Sequence, residues 1–299
     1  KSGYDDRFAI GLTTSAGSLG VVIPPSIPMI LYCMVMNTSV AKLFMAGIGP
    51  GILIAAVFIG YTLYMAFKNK WGVLPRKSWR QTATILRKGV WGLLLPVIVL
   101  GGIYTGMFTP TEAASVSVVY ALLVELFLYR EIKLIEIPSV CTQAAVMSGC
   151  LLFILASAMT LIWLLTAHRI PQHIADAITA HVHSGWMFLI LANLLFLLMG
   201  TVMDNVSAML ILSPLFAETL YRFGIDPIHY GIIMVMVIEF GFLTPPFGLN
   251  LFVAMGLTDK SLTEVSAGVW PFLFLLLICL ALVTFIPAIS LFLPHPFLR

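Results

Sequence analysis

Charged residues are scarce in this sequence. Only 10% of its 299 residues are Asp, Glu, Lys or Arg, whereas 60% are hydrophobic. A soluble domain carries about 25% charged residues, because it must cover a surface that faces water. The composition therefore excludes an ordinary soluble domain and predicts a chain embedded in a lipid bilayer.

Catalytic and cross-linking motifs are also missing. The sequence has no His-Glu-x-x-His motif and no nucleophile–base pair at membrane depth, which argues against an enzyme. No helix shows the regular polar face that would line a passive channel. The cysteines all lie in apolar segments and behave there as small hydrophobic residues, so we expect no disulfide, metal cluster or other cofactor. They are Cys33, Cys141, Cys150 and Cys279.

The sequence contains long uncharged, apolar runs. Six of them reach the roughly 20 residues with which a helix crosses a bilayer. Their composition predicts an all-α polytopic membrane protein rather than a barrel of short alternating strands. The runs cover residues 8–41, 43–67, 89–111, 139–167, 184–203 and 265–294.

The basic residues concentrate in one loop. Residues 68–88 hold Lys and Arg but no Asp or Glu. Under the positive-inside rule this loop is cytoplasmic, so the net charge of +3 indicates membrane orientation and no nucleic-acid partner. The sequence also starts without Met or a signal-peptide pattern, and we expect it to begin within a longer protein.

An internal repeat appears when the sequence is aligned with itself so that Gly3 falls on Gly224. The matches include backbone-determining Gly and Pro residues, which coincide by chance less readily than apolar ones. At this one fixed offset Gly3, Asp5, Gly20, Pro24, Pro25, Met34, Ala46, Gly47 and Pro50 match Gly224, Asp226, Gly241, Pro245, Pro246, Met255, Ala267, Gly268 and Pro271. Counting crossings from the cytoplasmic loop gives the two copies opposite orientations, which predicts an inverted repeat.

The repeat predicts a division of the chain into three parts. Residues 1–67 end the first repeat, 68–88 form the loop, and 89–299 form the second repeat. If the first repeat were complete, about 135 residues would precede Gly3. The predicted elements are a broken helix 8–36, helices 47–67, 89–108, 111–129 and 139–166, an interfacial segment 168–183, a hairpin 185–221, a broken helix 227–257, and a helix 269–293.

The segment 185–221 allows two topologies. Apolar stretches flank the polar residues Asp204 and Asn205. A re-entrant hairpin explains this polar turn, and two full crossings are the alternative. Both leave the chain on the same side of the membrane, so orientation does not distinguish them.

Two Gly-x-x-x-Pro-Pro motifs interrupt the broken helices. They run from Gly20 to Pro25 and from Gly241 to Pro246. Each Pro removes a helical N–H and disfavours helix before it, which predicts an unwound stretch. Backbone groups freed at membrane depth are tolerated where they line an enclosed polar site. The ends of the half-helices also direct partial charges toward that site, so the pair predicts a transport site.

Side-chain oxygens accompany these interruptions. Ser26, Thr244 and Asn250 lie at the breaks, and the hairpin turn adds Asn205, Ser207 and the carboxylate of Asp204. Several carbonyl and hydroxyl oxygens with at most one carboxylate suit a sodium ion. An acid inside a membrane segment is costly and usually functional, although Asp204 could also cap the hairpin.

Together these motifs resemble the large membrane subunit of tripartite ATP-independent periplasmic (TRAP) transporters. The resemblance covers nearly the whole chain and corresponds to the C-terminal two thirds of such a subunit. The ordered set is more specific than any single motif. It comprises residues 20–28, 42–50, 108–113, Met203-Asp204, 224–227 and 241–248.

The resemblance implies a multi-pass permease of the bacterial or archaeal cytoplasmic (inner) membrane. Such systems import organic acid anions with a sodium gradient, and a periplasmic substrate-binding protein delivers the anion. The permease pairs with a small four-helix membrane subunit. Its fold resembles that of divalent-anion/sodium symporters and works as an elevator, with inverted repeats, re-entrant hairpins and unwound helices. A stand-alone divalent-anion/sodium symporter is the alternative.

The resemblance also suggests site residues. One sodium site would combine the hairpin turn with the second break, and the other would involve the first break. Because Phe247 stands where the first repeat has Ser26, the two sites need not be equivalent. Candidate sodium-binding residues are Asp204, Asn205, Ser207, Gly241, Thr244, Gly248, Gly20 and Pro24, and candidate substrate-binding residues are Ser26, Asn205, Pro246 and Asn250.

Overall fold

The protein consists of helices and short connections in the part that the computed structural model describes, residues 5–71, 79–200, 205–245, 248–258 and 260–294. No β-strand occurs in these ranges. The α-helices are α1 (Asp6–Val22), α2 (Ile27–Met36), α3 (Val40–Lys68), α4 (Trp79–Tyr104), α5 (Pro110–Leu123), α6 (Ile137–Ala167), α7 (Ile170–His181), α8 (Gly185–Met199), α9 (Asn205–Leu215), α10 (Ala217–Arg222), α11 (Pro227–Leu243), α12 (Leu249–Thr258), α13 (Leu262–Phe285) and α14 (Ala288–Leu291).

Several of these helices are long and apolar enough to cross a bilayer. Five such stretches occur among the described residues, or six if α7 and α8, which are bent by 118°, count as one. This agrees with the all-α polytopic membrane fold that the composition predicts. Helices α11 and α12 are shorter apolar pieces, and the interruption between them divides the predicted segment 227–257.

Three helices begin earlier than their apolar runs predict. The predicted helix 47–67 is α3 and starts at Val40, where Ser39 accepts a hydrogen bond from the Lys42 N–H. The predicted helix 269–293 is α13 and starts at Leu262, behind a reciprocal cap of Ser261 and Glu264. Capped first turns are polar, so a search for hydrophobic runs overlooks them. The predicted helix 89–108 is α4, whose first turns occupy residues assigned to the loop 68–88.

Other boundaries differ at helix C-termini. Helix α13 ends at Phe285 rather than 293, because Pro287 has no N–H to continue the ladder. Helix α4 ends at Tyr104, shortly before Gly106, whose φ of 73° is left-handed. The predicted helix 111–129 is α5 from Pro110 to Leu123, continued by a π-helical turn, Val124–Tyr129. Helices α6 and α7 lie within two residues of the predicted segments 139–166 and 168–183.

The chain divides into two compact units. One contains Lys1–Gly72 and Leu155–Arg299, and the other contains Val73–Ile154. In the smaller unit α4 packs against α5, and the Tyr120 hydroxyl donates a 2.7 Å hydrogen bond to the Trp91 carbonyl. The larger unit holds both interrupted helices and is the one that positions the candidate site.

Helix α11 forms the centre of the larger unit. It packs against α1, α3, α8 and α13, and most of its side chains are buried. Beside it α1 and α13 approach closely at Gly11 and Gly268, where a Cβ on Gly11 would collide with the Gly268 carbonyl. The first half of the second interrupted segment thus lies in the core, whereas most residues of α12, its second half, are not buried.

Helices at corresponding positions of the two repeats make reciprocal contacts. Helices α1 and α11 both have 17 residues, and α2 and α12 both have 10. Helix α1 packs against α3 as α11 packs against α13, and α2 contacts α11 as α12 contacts α1. Each of these contacts therefore has a counterpart between the corresponding helices of the other repeat.

Candidate functional site

The first interruption separates α1 from α2. Helix α1 stops at Val22, just before Pro24 and Pro25, and α2 begins after Ser26, whose backbone is extended. The Ser26 side chain is only 3% exposed, and its hydroxyl has no hydrogen-bond partner within the described structure. An unsatisfied buried hydroxyl is costly, so this oxygen is available to a ligand. Pro24 is buried beside it, whereas Gly20 is exposed on the last turn of α1.

The second interruption separates α11 from α12. Helix α11 ends at Leu243, and the Thr244 hydroxyl donates a 2.8 Å hydrogen bond to the Phe240 carbonyl. The lone pairs of that hydroxyl remain able to accept a donor or contact a cation. Gly241 is buried in the last turn of α11, where the carbonyl groups carry the negative end of the helix dipole. A cation is the ligand that such an end favours.

Gly248 brings the start of α12 against the end of α11. A Cβ at this position would lie 2.9 Å from the Phe242 carbonyl oxygen, so a larger residue would push the segments apart. The Gly248 carbonyl accepts hydrogen bonds from the N–H groups of Leu251 and Phe252. Pro246 lies outside the described residues, and its predicted role in substrate binding stays a prediction.

The hairpin residues are described only in part. Asn205 begins α9, and Ser207 is half-buried in its first turn. The side chain of Asn205 and the whole of Asp204 lie outside the described structure. The predicted ion site at this turn therefore stays a prediction.

Asn250 lines a cavity of about 400 Å³ between α12 and α1. The α1 wall presents small and hydroxyl-bearing residues, among them Ala9 and Thr13. At the related contact between α2 and α11, the repeat places Tyr230 where α1 has Ala9 and Tyr32 where α12 has Val253, and both tyrosines are fully buried. Smaller side chains thus leave a cavity at one contact where large ones fill the other. Ser26 does not line this cavity, so the structure does not bring the two substrate candidates Ser26 and Asn250 together there.

One polar contact of the segment 185–221 was not predicted from the sequence. The Asn193 amide of α8 donates a 2.9 Å hydrogen bond to the hydroxyl of Thr284 in α13. Asn193 is the sole amide in the otherwise apolar helix Gly185–Met199. The sequence does show a single amide in an apolar segment. Such a side chain needs a hydrogen-bond partner inside the membrane, so its position alone predicts a contact with another helix.

The base of the same hairpin carries an ion pair. The Arg222 guanidinium at the end of α10 donates a 2.6 Å hydrogen bond to Asp176 of α7 and contacts Glu218 at 3.3 Å. The hydrogen bond to Asp176 raises the pKa of Arg222. This pair joins α7 to α10, the last helix of the segment 185–221.

Comparison with known proteins identifies the family. A family model described as "Tripartite ATP-independent periplasmic transporter, DctM component" matches residues 1–289. The chain belongs to this family. It is a large permease subunit of a TRAP transporter, which confirms the resemblance noted from the motifs, and it is a multi-pass protein of the inner membrane.

Individual relatives support the assignment. The chain is 45% identical to the C4-dicarboxylate TRAP transporter large permease protein DctM of Pseudomonas aeruginosa over 99% of this chain and 69% of the relative. It is 41% identical to the protein of the same name from Rhodobacter capsulatus, over 98% and 70% respectively. It is 34% identical to the sialic acid TRAP transporter large permease protein SiaM of Vibrio cholerae, over 99% and 69%. These relatives are permease subunits, and the chain is accordingly a transport protein rather than an enzyme.

Proposed function

We propose that this TRAP permease subunit imports an organic acid anion by sodium symport. The anion is delivered by a periplasmic substrate-binding protein, and the permease works with a small four-helix membrane subunit. Relatives named for C4-dicarboxylate and sialic acid support an organic acid as the cargo. The observation that carries the proposal is the pair of interruptions at matching positions of the repeat, within a chain of this family.

The proposed coupling sites use oxygens at these interruptions. At the first, we assign backbone groups of Gly20 and Pro24 to sodium, and the buried and unpartnered Ser26 hydroxyl, between the end of α1 and the start of α2, to the anion. At the second, we assign hydroxyl and backbone groups of Thr244, Gly241 and Gly248 to the ion, and the proposal adds the oxygens of Asp204, Asn205 and Ser207. The C-terminus of a helix attracts cations and the N-terminus attracts anions. A sodium ion and the carboxylate of the substrate can therefore bind at the same interruption, where one helix ends and the next begins.

The proposed mechanism is an elevator built from inverted repeats. The contact of α1 with α3 corresponds to that of α11 with α13, and the contact of α2 with α11 corresponds to that of α12 with α1. This correspondence supports a two-fold relation between the repeats. A helix of 15 residues, as in α8, is about 22 Å long and falls short of the roughly 30 Å hydrocarbon core. This length supports a re-entrant hairpin for 185–221 over two full crossings.

The test is sodium-driven uptake by the intact permease subunit, reconstituted with its small subunit and binding protein. We expect Asp204→Ala to abolish uptake while the complex still assembles, because the ion site loses its carboxylate. Glu131→Ala is the control, since it removes an exposed acid between α5 and α6, far along the chain from the proposed site. Unchanged uptake by Asp204→Ala would remove Asp204 from the ion site.

Omitting the binding protein tests the alternative. A tripartite system should show little uptake under this condition. Full uptake without it would favour a stand-alone divalent-anion/sodium symporter. Uptake that does not respond to a sodium gradient in the wild type would overturn the sodium coupling itself.

A further inference from the structure

Helix α8 has a buried face made almost entirely of hydrocarbon. Phe188, Leu189, Ala192 and Phe196 are buried on this face, and Phe188 and Phe196 both pack against the Phe216 ring. The opposite face exposes leucines, as expected of a helix beside lipid. Apolar packing selects which face is buried, but it discriminates weakly between positions shifted along the helix axis.

Asn193 supplies the missing axial restraint. It lies on the buried side of α8 between Ala192 and Phe196, and its amide reaches Thr284 across 91 residues of sequence. Thr284 is 1% exposed, so an unpaired hydroxyl at this depth could not turn to water. A directional bond in an apolar contact fixes helix register, as a single buried Asn does in coiled coils.

This restraint acts on a helix that leads into the candidate ion site. Helix α8 ends at Met199, and α9 begins at Asn205 and carries Ser207. Helix α9 packs against α11, so a slip of α8 along its axis would displace the start of α9 relative to α11. Thr284 lies near the C-terminal end of α13, whereas the α13 residues that line a cavity with Pro245 lie near its N-terminal end.

We propose that Asn193 and Thr284 are positioning residues that hold α8 in register and thereby set the sodium affinity of the second ion site. The inference rests on the proposed sodium symport. Neither residue contacts the ion, and the effect passes through the placement of α8 and α9. Their loss should therefore weaken sodium binding more than it slows transport at saturating sodium.

The principal experiment compares two substitutions of Thr284 in the reconstituted complex. Thr284→Val removes the hydroxyl with little change of shape, and Thr284→Ser keeps it. We expect Thr284→Val to raise the sodium concentration for half-maximal uptake about three- to ten-fold, in line with the measured strength of interhelical hydrogen bonds. The maximal rate should stay within about two-fold, and Thr284→Ser should behave as the wild type.

Thr62→Val is the matched control. The Thr62 hydroxyl donates to the Phe58 carbonyl within α3, and this bond joins no two helices, so its removal should leave sodium affinity unchanged. Asn193→Leu removes the donor of the same hydrogen bond and should have the same effect as Thr284→Val. If the two residues act through one bond, the double variant Asn193→Leu/Thr284→Val should resemble either single variant rather than the product of both effects.

Hydrogen exchange separates this inference from the proposed symport. Peptides covering 185–200 and 205–215 should exchange faster in Thr284→Val than in the wild type, and at the wild-type rate in Thr284→Ser and Thr62→Val. If wild-type uptake lacks sodium dependence, the symport proposal fails. The hydrogen-exchange rates still test whether the bond between Asn193 and Thr284 holds α8 in register. Unchanged half-saturation and unchanged exchange in both Thr284→Val and Asn193→Leu would overturn the inference, as would a fall in thermal stability without a change in sodium affinity. If Thr284→Val does not accumulate, Asn193→Leu decides alone.

Discussion

The phenolic hydroxyl of Tyr32 donates a 2.7 Å hydrogen bond to the backbone carbonyl of Pro227, the first residue of α11. Tyr32 is fully buried in α2, so this bond is shielded from water. It joins the second half of one interrupted helix to the first half of the other. The two interrupted helices are thus linked by a bond that spans 195 residues of sequence.

Removing the Tyr32 hydroxyl should destabilise the protein. We expect Tyr32→Phe to lower the free energy of unfolding by about 1 kcal/mol, because it deletes one buried hydrogen bond and leaves a carbonyl less satisfied. Tyr230→Phe is the control, since the Tyr230 hydroxyl is buried without a hydrogen-bond partner among the described residues. Its removal should be neutral or stabilising. Thermal unfolding in detergent measures both, and equal effects would contradict the role given to Tyr32.

Gly11 should tolerate no larger residue. A Cβ at Gly11 would collide with the Gly268 carbonyl, and backbone atoms can move away only by separating α1 from α13. We expect Gly11→Ala to destabilise the permease by roughly 2 kcal/mol or more, as overpacking of a filled core does. Gly17→Ala, on the same helix, meets no atom within 4 Å and should be neutral or slightly stabilising. Folded yield and thermal unfolding measure the stability of both variants. If Gly11→Ala is as stable as the wild type, α1 and α13 can move apart without loss of stability.

Ser26→Ala should affect transport more than stability. The Ser26 hydroxyl is buried without a partner in the described structure, so its loss removes no internal hydrogen bond. If it contacts the anion, the substrate concentration for half-maximal uptake should rise about five-fold, the strength of one neutral hydrogen bond. Thermal unfolding should be unchanged. A variant that transports with wild-type affinity would exclude Ser26 from the substrate site.

Membrane orientation can be read by thiol labelling. In a background without the four native cysteines, Lys70→Cys should react with an impermeant maleimide only from the cytoplasmic side, because the basic loop is retained there. His181→Cys, at the end of α7, should react only from the periplasmic side. Inside-out and right-side-out vesicles distinguish the two. Labelling of both positions from the same side would refute the predicted crossing pattern.

Local effects of residue type explain what could be predicted from the sequence. Scarce charge and long apolar runs determined a helical membrane protein, since a chain without polar surface cannot face water. Motifs rich in Gly and Pro led to the TRAP family, which the comparisons confirm. Helix α1 stops next to Pro24, and α11 next to Pro245, because a proline acts on the backbone of its own turn. The predicted ion site at Asp204 and the inverted orientation stay predictions.

Contacts between distant residues belong to the tertiary structure alone. No local pattern pairs Asn193 with Thr284 or Tyr32 with Pro227, because each pair forms only when separate helices pack. The same holds for the cavity beside Asn250, whose size depends on which side chains two helices present to each other. Hydrophobicity therefore decides that segments enter the membrane, whereas packing and directional hydrogen bonds decide which of their residues meet.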